Sequence, residues 1–284
     1  VESTFNWYWL VDGLTEAGFK VHLANTAAIQ QYSGLKHTDD FTDARWLAQM
    51  LRLGVLKEGY ICPKPLREVR DLLRKRGQLV GQRTANILSV QNAVRRETGR
   101  AMSTQEIKRL MRDDRPWPGE TPFALAIGAN LAVLKTLDAE IDHIEKAVQA
   151  KTKLRPEYRH LLSMPGVGKT LGLVIMLETG EVSRFANAGR FASYCRCVDS
   201  KRLSNGKKKG ANNAKNGNRY LAWAFVEAAH FAVRYYPRVR RFYDRKKARR
   251  GGIIATKAVA HKLARAAFYI MRDGVEFDMD RAFT

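Results

Sequence analysis

RCVDSKRLSNGKKKGANNAKNGNRY, residues Arg196 to Tyr220, is a polar, Gly- and Asn-rich stretch between two apolar segments. From Lys201 to Arg219 it has seven basic residues and no acidic one. The basic residues are Lys201, Arg202, Lys207, Lys208, Lys209, Lys215 and Arg219. The pattern predicts a strongly cationic loop between two apolar segments.

Ser204 lies in this stretch, at the Ser-Asn-Gly sequence that ends with Gly206. Asn and Gly permit the backbone angles of a tight turn. Backbone N–H groups and the lysines after the turn would hold and neutralise a phosphodiester near the hydroxyl of Ser204, as phosphoryl transfer to serine requires. The alternative is a solvated loop that touches nucleic acid and whose serine only supports the turn.

The composition indicates a folded, strongly basic protein. Its 284 residues include 50 Lys and Arg against 28 Asp and Glu, with a net charge of +22, a pI near 10.2 and 45% hydrophobic residues. A folded protein this basic most often binds nucleic acid. We find no apolar run near the ~20 residues of a membrane-spanning helix and no signal peptide, and therefore expect a soluble intracellular protein without a membrane partner.

The cysteines and histidines do not indicate a disulfide or a zinc site. Cys195 and Cys197 are too close together for ordinary disulfide or zinc spacing, and Cys62 is far away, so we expect three reduced packing residues. The six histidines lack metal-ligand spacing and are interpreted as structural.

Acidic residues near the N-terminus form a candidate metal site. The pattern predicts a strand end at Val1 to Thr4, a helix through Ala17 and a strand at Phe19 to Ala24. Asp40 and Asp43 project from one face of a later helix, where they could hold one or two Mg²⁺ ions with Glu2. Their alternative role is to favour the helix N-terminus through its dipole. Since an α/β domain needs more strands, we expect that N-terminal sequence is missing.

Two long helical segments follow. Apolar residues at helical spacing run from Leu66 to about Met111 and from Phe123 to about Leu154, and the linker Asp113 to Pro122 contains three prolines. The two segments are suited to pair as a coiled coil. Arginines cover the other face of the first segment, as a solvated surface or a surface for RNA or DNA.

The sequence Met164 to Thr170, MPGVGKT, predicts a helix-hairpin-helix. In this motif glycine N–H groups at a helix N-terminus bind backbone phosphates, here from Gly166 and Gly168 beside Lys169. An ATP-binding P-loop is excluded because its first glycine is absent. Beyond the serine loop, Pro237 to Arg250 forms a second basic surface that includes Arg245, Lys246 and Lys247.

These motifs, in this order, resemble the DEDD-type insertion-sequence transposases with a serine nucleophile, the group of bridge-RNA-guided DNA recombinases. The resemblance runs from Val1 to about Asp273 and includes the segment Lys-x-x-x-Asp-x-x-Asp-Ala at Lys36 to Ala44. It implies that Glu2, Asp40 and Asp43 are the second, third and fourth acidic residues of a RuvC-like site that binds Mg²⁺.

The resemblance also implies a mechanism. Ser204 would attack a DNA phosphodiester and form a covalent phosphoserine link, with Ser200 as the competing choice. The site would be composite, shared between subunits of a homodimer or homotetramer. The implied partners are element-end and target DNA and a guide RNA, in the cytoplasm and nucleoid of a bacterium. The first acidic residue has no counterpart, so we expect this polypeptide alone to be inactive or impaired.

We therefore predict an α+β, mostly helical protein with three parts. Residues 1–63 form a truncated RNase H or RuvC-like domain, 64–155 the coiled-coil helices with the linker near 113–122, and 156–284 a helical domain with the helix-hairpin-helix and the serine loop. Two other functions stay open. One is a non-catalytic, decayed RNA- and DNA-binding protein, and the other is a metal-dependent junction nuclease.

Overall fold

The computed structural model describes residues 1–3, 6–26, 29, 39–113, 117, 119–152, 156–199, 202–210 and 216–283, with only the backbone at 202, 203 and 208. It divides into two compact units, residues 1–67 and 68–284. As predicted, the chain is mostly helical. The RuvC-like fold, the coiled coil and the three predicted domain boundaries stay predictions.

The first unit contains helices α1 (Tyr8–Glu16) and α2 (Asp40–Arg52) and the start of α3 (Lys64–Thr98). Three extended segments lie side by side, with Ala24 bridged in parallel to Glu2 and in antiparallel fashion to Glu58. The predicted strand at Phe19 to Ala24 is wrong in extent, because only Ala24 makes a bridge within the described residues of this unit. The order of extended segment, helix and extended segment is confirmed.

Arg67 fixes α1 against the beginning of α3. Its guanidinium is buried, forms an ion pair with Asp12 and stacks 4.3 Å from the centre of the Tyr8 ring. Lys64 reaches Glu16 at 3.1 Å. Arg67 is therefore a structural residue of the first unit, and the prediction that it belongs to a solvated basic surface is wrong.

The second unit begins with a helical hairpin. It consists of α3, α4 (Thr104–Arg112) and α5 (Pro122–Thr152). The predicted single run from Leu66 to Met111 is interrupted, because Gly99 takes a left-handed backbone angle and Ser103 with Glu106 forms a capping box that starts α4.

Ion pairs and a buried cluster join α3 to α5. Arg76 contacts Glu145 at 2.7 Å and Arg83 contacts Asp138 at 2.7 Å, so the two helices run in opposite directions. The cluster comprises Val90, Val94, Ile107, Met111, Ile127, Leu131 and Leu134. The predicted pairing of the long helices is confirmed, and Arg76 and Arg83 of α3 take part in it rather than forming an open surface.

Helix α5 contradicts the expectation that no apolar run approaches the length of a membrane-spanning helix. This helix is long and apolar enough to cross a membrane by length and composition, although a core helix of a soluble protein passes the same test. Ile127, Leu131, Leu134 and Ile141 bury one stripe of it within the protein. The stripe accounts for part of the apolar character, whereas Leu125 and Val133 of the same helix are exposed.

The rest of the second unit is a helical domain built around α11. Its helices are α6 (Pro156–Leu161), α7 (Lys169–Thr179), α8 (Ala188–Tyr194), α9 (Arg219–Tyr235), α10 (Pro237–Arg250), α11 (Gly252–Asp273) and α12 (Met279–Ala282), with a short 3₁₀ helix at Val182–Arg184. Phe191 of α8 lies at the centre and contacts Phe225 of α9 and Phe268 of α11, with ring centroids 6.2 and 6.1 Å away. These aromatic contacts join three helices in one core.

The C-terminal residues pack against the helical domain. Phe283 is only 2% exposed and packs against Phe242 of α10 with ring centroids 5.5 Å apart. Arg238 donates to the carbonyl oxygen of Phe283 at 2.9 Å and pairs with Asp280. The tail is thereby fastened to the helical domain.

Candidate functional site

The serine loop contains a β-hairpin. Strands β1 (Arg202–Ser204) and β2 (Lys207–Gly210) are antiparallel, and Ser204 pairs with Lys207. Asn205 and Gly206 between them have φ angles of 49° and 69°, the positive pair of a type I′ turn. The predicted Ser-Asn-Gly turn is confirmed. The two strands around it were not predicted.

Ser204 stands at the tip of this hairpin and is exposed, as are Asn205, Gly206 and Lys207. Within the described residues its hydroxyl has no hydrogen-bond partner, so no described side chain is hydrogen-bonded to it as a general base. Lys207 and Lys209 put exposed ammonium groups on the strand that follows the turn. Lys201, Lys215 and the competing Ser200 lie outside the described residues.

The base of the loop is closed by hydrogen bonds between its two ends. Arg196 donates through Nε and Nη2 to the carbonyl oxygen of Gly217 at 3.1 and 2.9 Å. Asn218 N–H donates to the carbonyl oxygen of Tyr194 at 2.7 Å. A Cβ at Gly217 would lie 2.4 Å from that same oxygen, so only glycine permits the closure.

Glu178 connects this closure to the long helix α3. Its side chain is 3% exposed and accepts from Arg74 at 2.6 and 2.7 Å and from Asn218 Nδ2 at 2.6 Å. Asn218 also caps α9 by accepting from the N–H groups of Tyr220 and Leu221. Sequence reasoning missed this network. A glutamate inside the apolar run of α7 and an Asn directly before an apolar helix were its available signals.

The turn before α7 gives its two glycines different roles. Gly166 has a φ of 78°, and a Cβ there would lie 2.1 Å from the carbonyl oxygen of Ala228, so α9 packs directly on its backbone. Gly168 is exposed at the N-cap of α7 with Lys169 after it, and a Cβ there would meet nothing within 4 Å. The packing against α9 accounts for Gly166 without a ligand. The exposed N-terminus of α7 is open to an anion at Gly168 and Lys169.

Helix α10 presents the predicted second basic surface. Arg245, Lys246 and Lys247 are exposed on it. Lys247 lies 6.0 Å from the Tyr243 ring centre and Lys246 lies 5.8 Å from that of Phe242. Arg219, the last cation of the serine loop, begins α9 and stacks 4.9 Å from the Tyr220 ring.

In the first unit, the three predicted acidic residues line one cavity of about 490 Å³. Glu2 comes from the first extended segment, and Asp40 and Asp43 come from the first turn of α2. Asp39 caps this helix by accepting from Thr42 N–H, which lowers the pKa of its carboxyl group. The part of the chain that the structure describes contains no group of three His, Cys, Asp or Glu already gathered to hold a metal ion.

The cysteines are free and buried, as predicted. Burial raises the pKa of Cys197 to about 12 and also raises that of Cys195, with a further increase there from Cys197. Thiolate chemistry at these positions is therefore unfavourable.

Comparisons with known proteins match both units. Residues 1–97 match the DEDD transposase model of the IS110 type, and residues 158–244 match the transposase IS116/IS110/IS902 family. Glu2, Asp40 and Asp43 lie in the first match and Ser204 in the second.

Curated relatives carry corresponding names. A "Probable family 20 transposase" of Pseudomonas aeruginosa is 24% identical over 234 residues, which are 80% of this chain and 68% of that protein. The insertion element IS110 43.6 kDa protein of Streptomyces coelicolor is 27% identical over 57% of this chain, but the match spans 40% of its own length. For the insertion element IS900 42 kDa protein of Mycobacterium paratuberculosis the match spans 33% of that protein, at 28% identity. The chain therefore carries two transposase domains of the IS110/IS116/IS902 family, one in each matched segment.

Proposed function

We propose that the chain acts in DNA transposition, as the transposase of an insertion sequence in a bacterial cytoplasm, at the nucleoid. The observation that carries this proposal is the exposed Ser204 at the tip of a cationic hairpin, within the segment that matches the transposase family. The acidic cavity within the other matched segment supports it.

Ser204 is proposed as the nucleophile. Its oxygen would form a bond to the phosphorus of a DNA phosphodiester while one ester P–O bond breaks, and the released DNA end would take up a proton and leave as a hydroxyl. The phosphoserine link that remains can later be attacked by the hydroxyl of a second DNA end. The hydroxyl proton must pass to a base. Because no described residue is hydrogen-bonded to the Ser204 hydroxyl, we propose that this base comes from a second subunit or from residues outside the described ranges.

The cations around the hairpin would hold the DNA. Lys207 and Lys209 would neutralise phosphates on either side of the attacked one. The exposed N-terminus of α7 and the α10 surface would bind further phosphates without reading the base sequence. Base pairing with a guide RNA would then select the DNA sequence, as the family resemblance implies.

The acidic cavity is proposed as a Mg²⁺ site. Mg²⁺ prefers carboxylate oxygens and keeps several water ligands, so one or two carboxylates from the protein are enough. Glu2, Asp40 and Asp43 supply that donor chemistry around one cavity, which fits the ion although the three are not gathered as a closed set. Bound there, Mg²⁺ would stabilise charge on a transferring phosphate.

The acidic cavity and the serine hairpin are proposed to meet across subunits of a homodimer or homotetramer. A nucleophilic serine needs a metal, a base or a field of cations for activation. A composite site would bring a metal ion and a base to Ser204, whose own described surroundings supply only cations.

The test is a search for a protein–DNA adduct that survives denaturation. The chain, expressed within its parent open reading frame with co-expressed RNA, is incubated with Mg²⁺ and element-end DNA. We expect an adduct that Ser204→Ala abolishes while DNA binding is retained. Ser193→Ala, an exposed serine outside the loop, is the matched control, and Ser200→Ala tests the competing nucleophile.

The acidic cavity also favours a second candidate, a metal-dependent nuclease. That function requires DNA cleavage that depends on Asp40 and Asp43 and continues in Ser204→Ala. If neither an adduct nor cleavage forms, while salt-sensitive RNA and DNA binding persists, the chain is a decayed binding protein and the proposal is wrong.

A further inference from the structure

A second cavity lies in the helical domain, between α11 and the C-terminal segment 275–282. Its volume is about 730 Å³. The polar side chains that line it include His261, Lys262, Arg265, Tyr269, Glu276 and Arg281. This part of the protein is outside the serine hairpin, the α7 turn and the acidic cavity.

The C-terminal wall of this cavity is held by specific contacts. Lys262 Nζ donates to the carbonyl oxygen of Ala282 at 2.6 Å, and its ammonium lies 5.1 Å from the Phe242 ring centre. The buried Phe283 and its hydrogen bond from Arg238 hold the next residue. Since Lys262 has three donors, the bond to Ala282 leaves others for a ligand.

Positive charge is concentrated on the α11 side of this cavity. Arg265 is exposed and has no ion-pair partner among the described residues. Burial lowers the pKa of Lys262, and Arg265, Lys246 and Arg245 lower it further. Burial and then Arg265 and Lys262 lower the pKa of His261. All the charges that shift these two groups are cationic, so an anion placed among them would relieve mutual repulsion.

The carboxylates of the lining belong to the other wall. Asp278 is engaged as the N-cap of α12, where it accepts from the N–H groups of Asp280 and Arg281. Glu276 is exposed beside it. Arg281 lies 5.9 Å from the Tyr269 ring centre, so this wall also carries a cation.

We propose that this cavity is a phosphate-binding site in which Lys262 and Arg265 hold the anion and His261 adds a third donor. The ligand class is a phosphate monoester, diester or anhydride. A nucleic-acid backbone and a free phosphorylated compound share this chemistry. The site does not depend on nucleophilic attack by Ser204, and it extends the protein's polyanion contacts to residues beyond the α10 surface.

The test is a calorimetric titration of the full chain with inorganic pyrophosphate at constant ionic strength. We expect saturable binding that Arg265→Gln weakens by about tenfold, the effect of losing one charge-assisted hydrogen bond. Lys257→Gln is the matched control, because it removes the same charge from an exposed position of α11 outside the lining. We expect it to change the affinity by less than about twofold, since charges at a distance are screened.

Equal weakening by Arg265→Gln and Lys257→Gln, or the absence of saturable binding, would overturn the proposal. Arg281→Gln changes an exposed residue of the opposite wall and is expected to weaken the binding of pyrophosphate as well. A short single-stranded oligonucleotide that displaces pyrophosphate identifies a nucleic-acid phosphate as the ligand. If pyrophosphate binds and the oligonucleotide does not displace it, the ligand is a free phosphorylated compound. Ser204→Ala should leave this binding unchanged, which separates the test from that of the proposed transposase.

Discussion

At the scale of single residues, backbone contacts decide what the α7 turn can tolerate. Gly166 and Gly168 are two positions apart and look equivalent in the motif Pro-Gly-x-Gly. Only Gly166 combines a positive φ with a close approach of another helix, whereas Gly168 faces open space. The motif therefore serves packing at one glycine and leaves the other available for a phosphate.

Replacement of Gly166 should be much more damaging than replacement of Gly168. Gly166→Ala adds left-handed strain and a clash with the Ala228 carbonyl oxygen, so we expect a loss of about 2–4 kcal/mol in the free energy of unfolding. Gly168→Ala should change it by less than about 1 kcal/mol. Urea denaturation measures both. Equal losses in the two variants would refute the packing role of Gly166.

Glu178 is the residue whose removal should loosen the base of the serine loop. Glu178→Ala leaves Arg74 and the Asn218 amide without their shared acceptor, and Arg74 is partly exposed, so we expect a loss of about 2–3 kcal/mol. Glu181→Ala removes the same side chain from an exposed position three residues later and serves as the control in urea denaturation. A Glu178→Ala protein as stable as this control would show that the network contributes little.

At the scale of elements, the N-terminus of α2 positions two of the three proposed metal ligands. Asp39 caps the helix from outside, and Asp40 and Asp43 occupy its first turn. The cap fixes where the helix begins. It thereby determines which side of the turn carries the two carboxylates that face the cavity.

The cap at Asp39 should make this element sensitive to acid. The hydrogen bond from Thr42 N–H lowers the folded-state pKa of Asp39. Its contribution is therefore complete above the unfolded pKa of about 3.9 and is lost as the pH falls through the lower folded value. Asp39→Asn keeps an acceptor that does not titrate. The wild type should lose more unfolding free energy than Asp39→Asn between about pH 7 and about pH 3, and identical losses would contradict the assignment.

Elements with strong local signals were predictable from the sequence, and those with tertiary causes were not. Apolar spacing and the prolines of the linker predicted a helical segment from Phe123, and α5 begins at Pro122, because caps and helix breakers act within a few positions. In place of the predicted strand at Phe19 to Ala24, only Ala24 makes β-bridges, because strand formation depends on pairing with neighbouring segments. The role of Glu178 depends on Arg74, more than a hundred residues away in the sequence, and a local sequence pattern cannot predict such a contact.

The same distinction holds for the candidate sites. The Ser-Asn-Gly turn was readable because its two positive φ angles suit Asn and Gly. The acidic residues were found by spacing and by resemblance, and the structure brings them to one cavity. The α11 cavity could not be foreseen, because it needs the buried anchor of Phe283 to bring the C-terminal segment back to Lys262.

In the molecule as a whole, the net charge of +22 includes cations that are held in ion pairs and cations that are exposed. Several arginines of α3 are consumed by ion pairs, such as those of Arg76 and Arg83. By contrast, Lys207 and Lys209 of the hairpin and Arg245, Lys246 and Lys247 of α10 are exposed. Net charge alone therefore overstates the number of cations available to nucleic acid.

The exposed cations of α10 should contribute to the salt dependence of DNA binding. Each of Lys246→Gln and Lys247→Gln should reduce the slope of log affinity against log salt by about one, as expected for a lost phosphate contact. Lys108→Gln, an exposed lysine of α4, removes the same charge and should leave the slope unchanged. Fluorescence anisotropy with labelled duplex DNA measures the slopes. If all three variants shift the slope alike, net charge rather than the α10 surface controls binding.

The burial of all three cysteines makes the native protein a convenient background for chemical labelling. Cys62, Cys195 and Cys197 are inside the fold, and burial keeps the thiols of Cys195 and Cys197 protonated. A cysteine introduced as Lys209→Cys would be exposed on the strand after the turn and would react far faster with a maleimide dye. A fluorophore placed there could report when nucleic acid reaches the hairpin, without removal of any native cysteine.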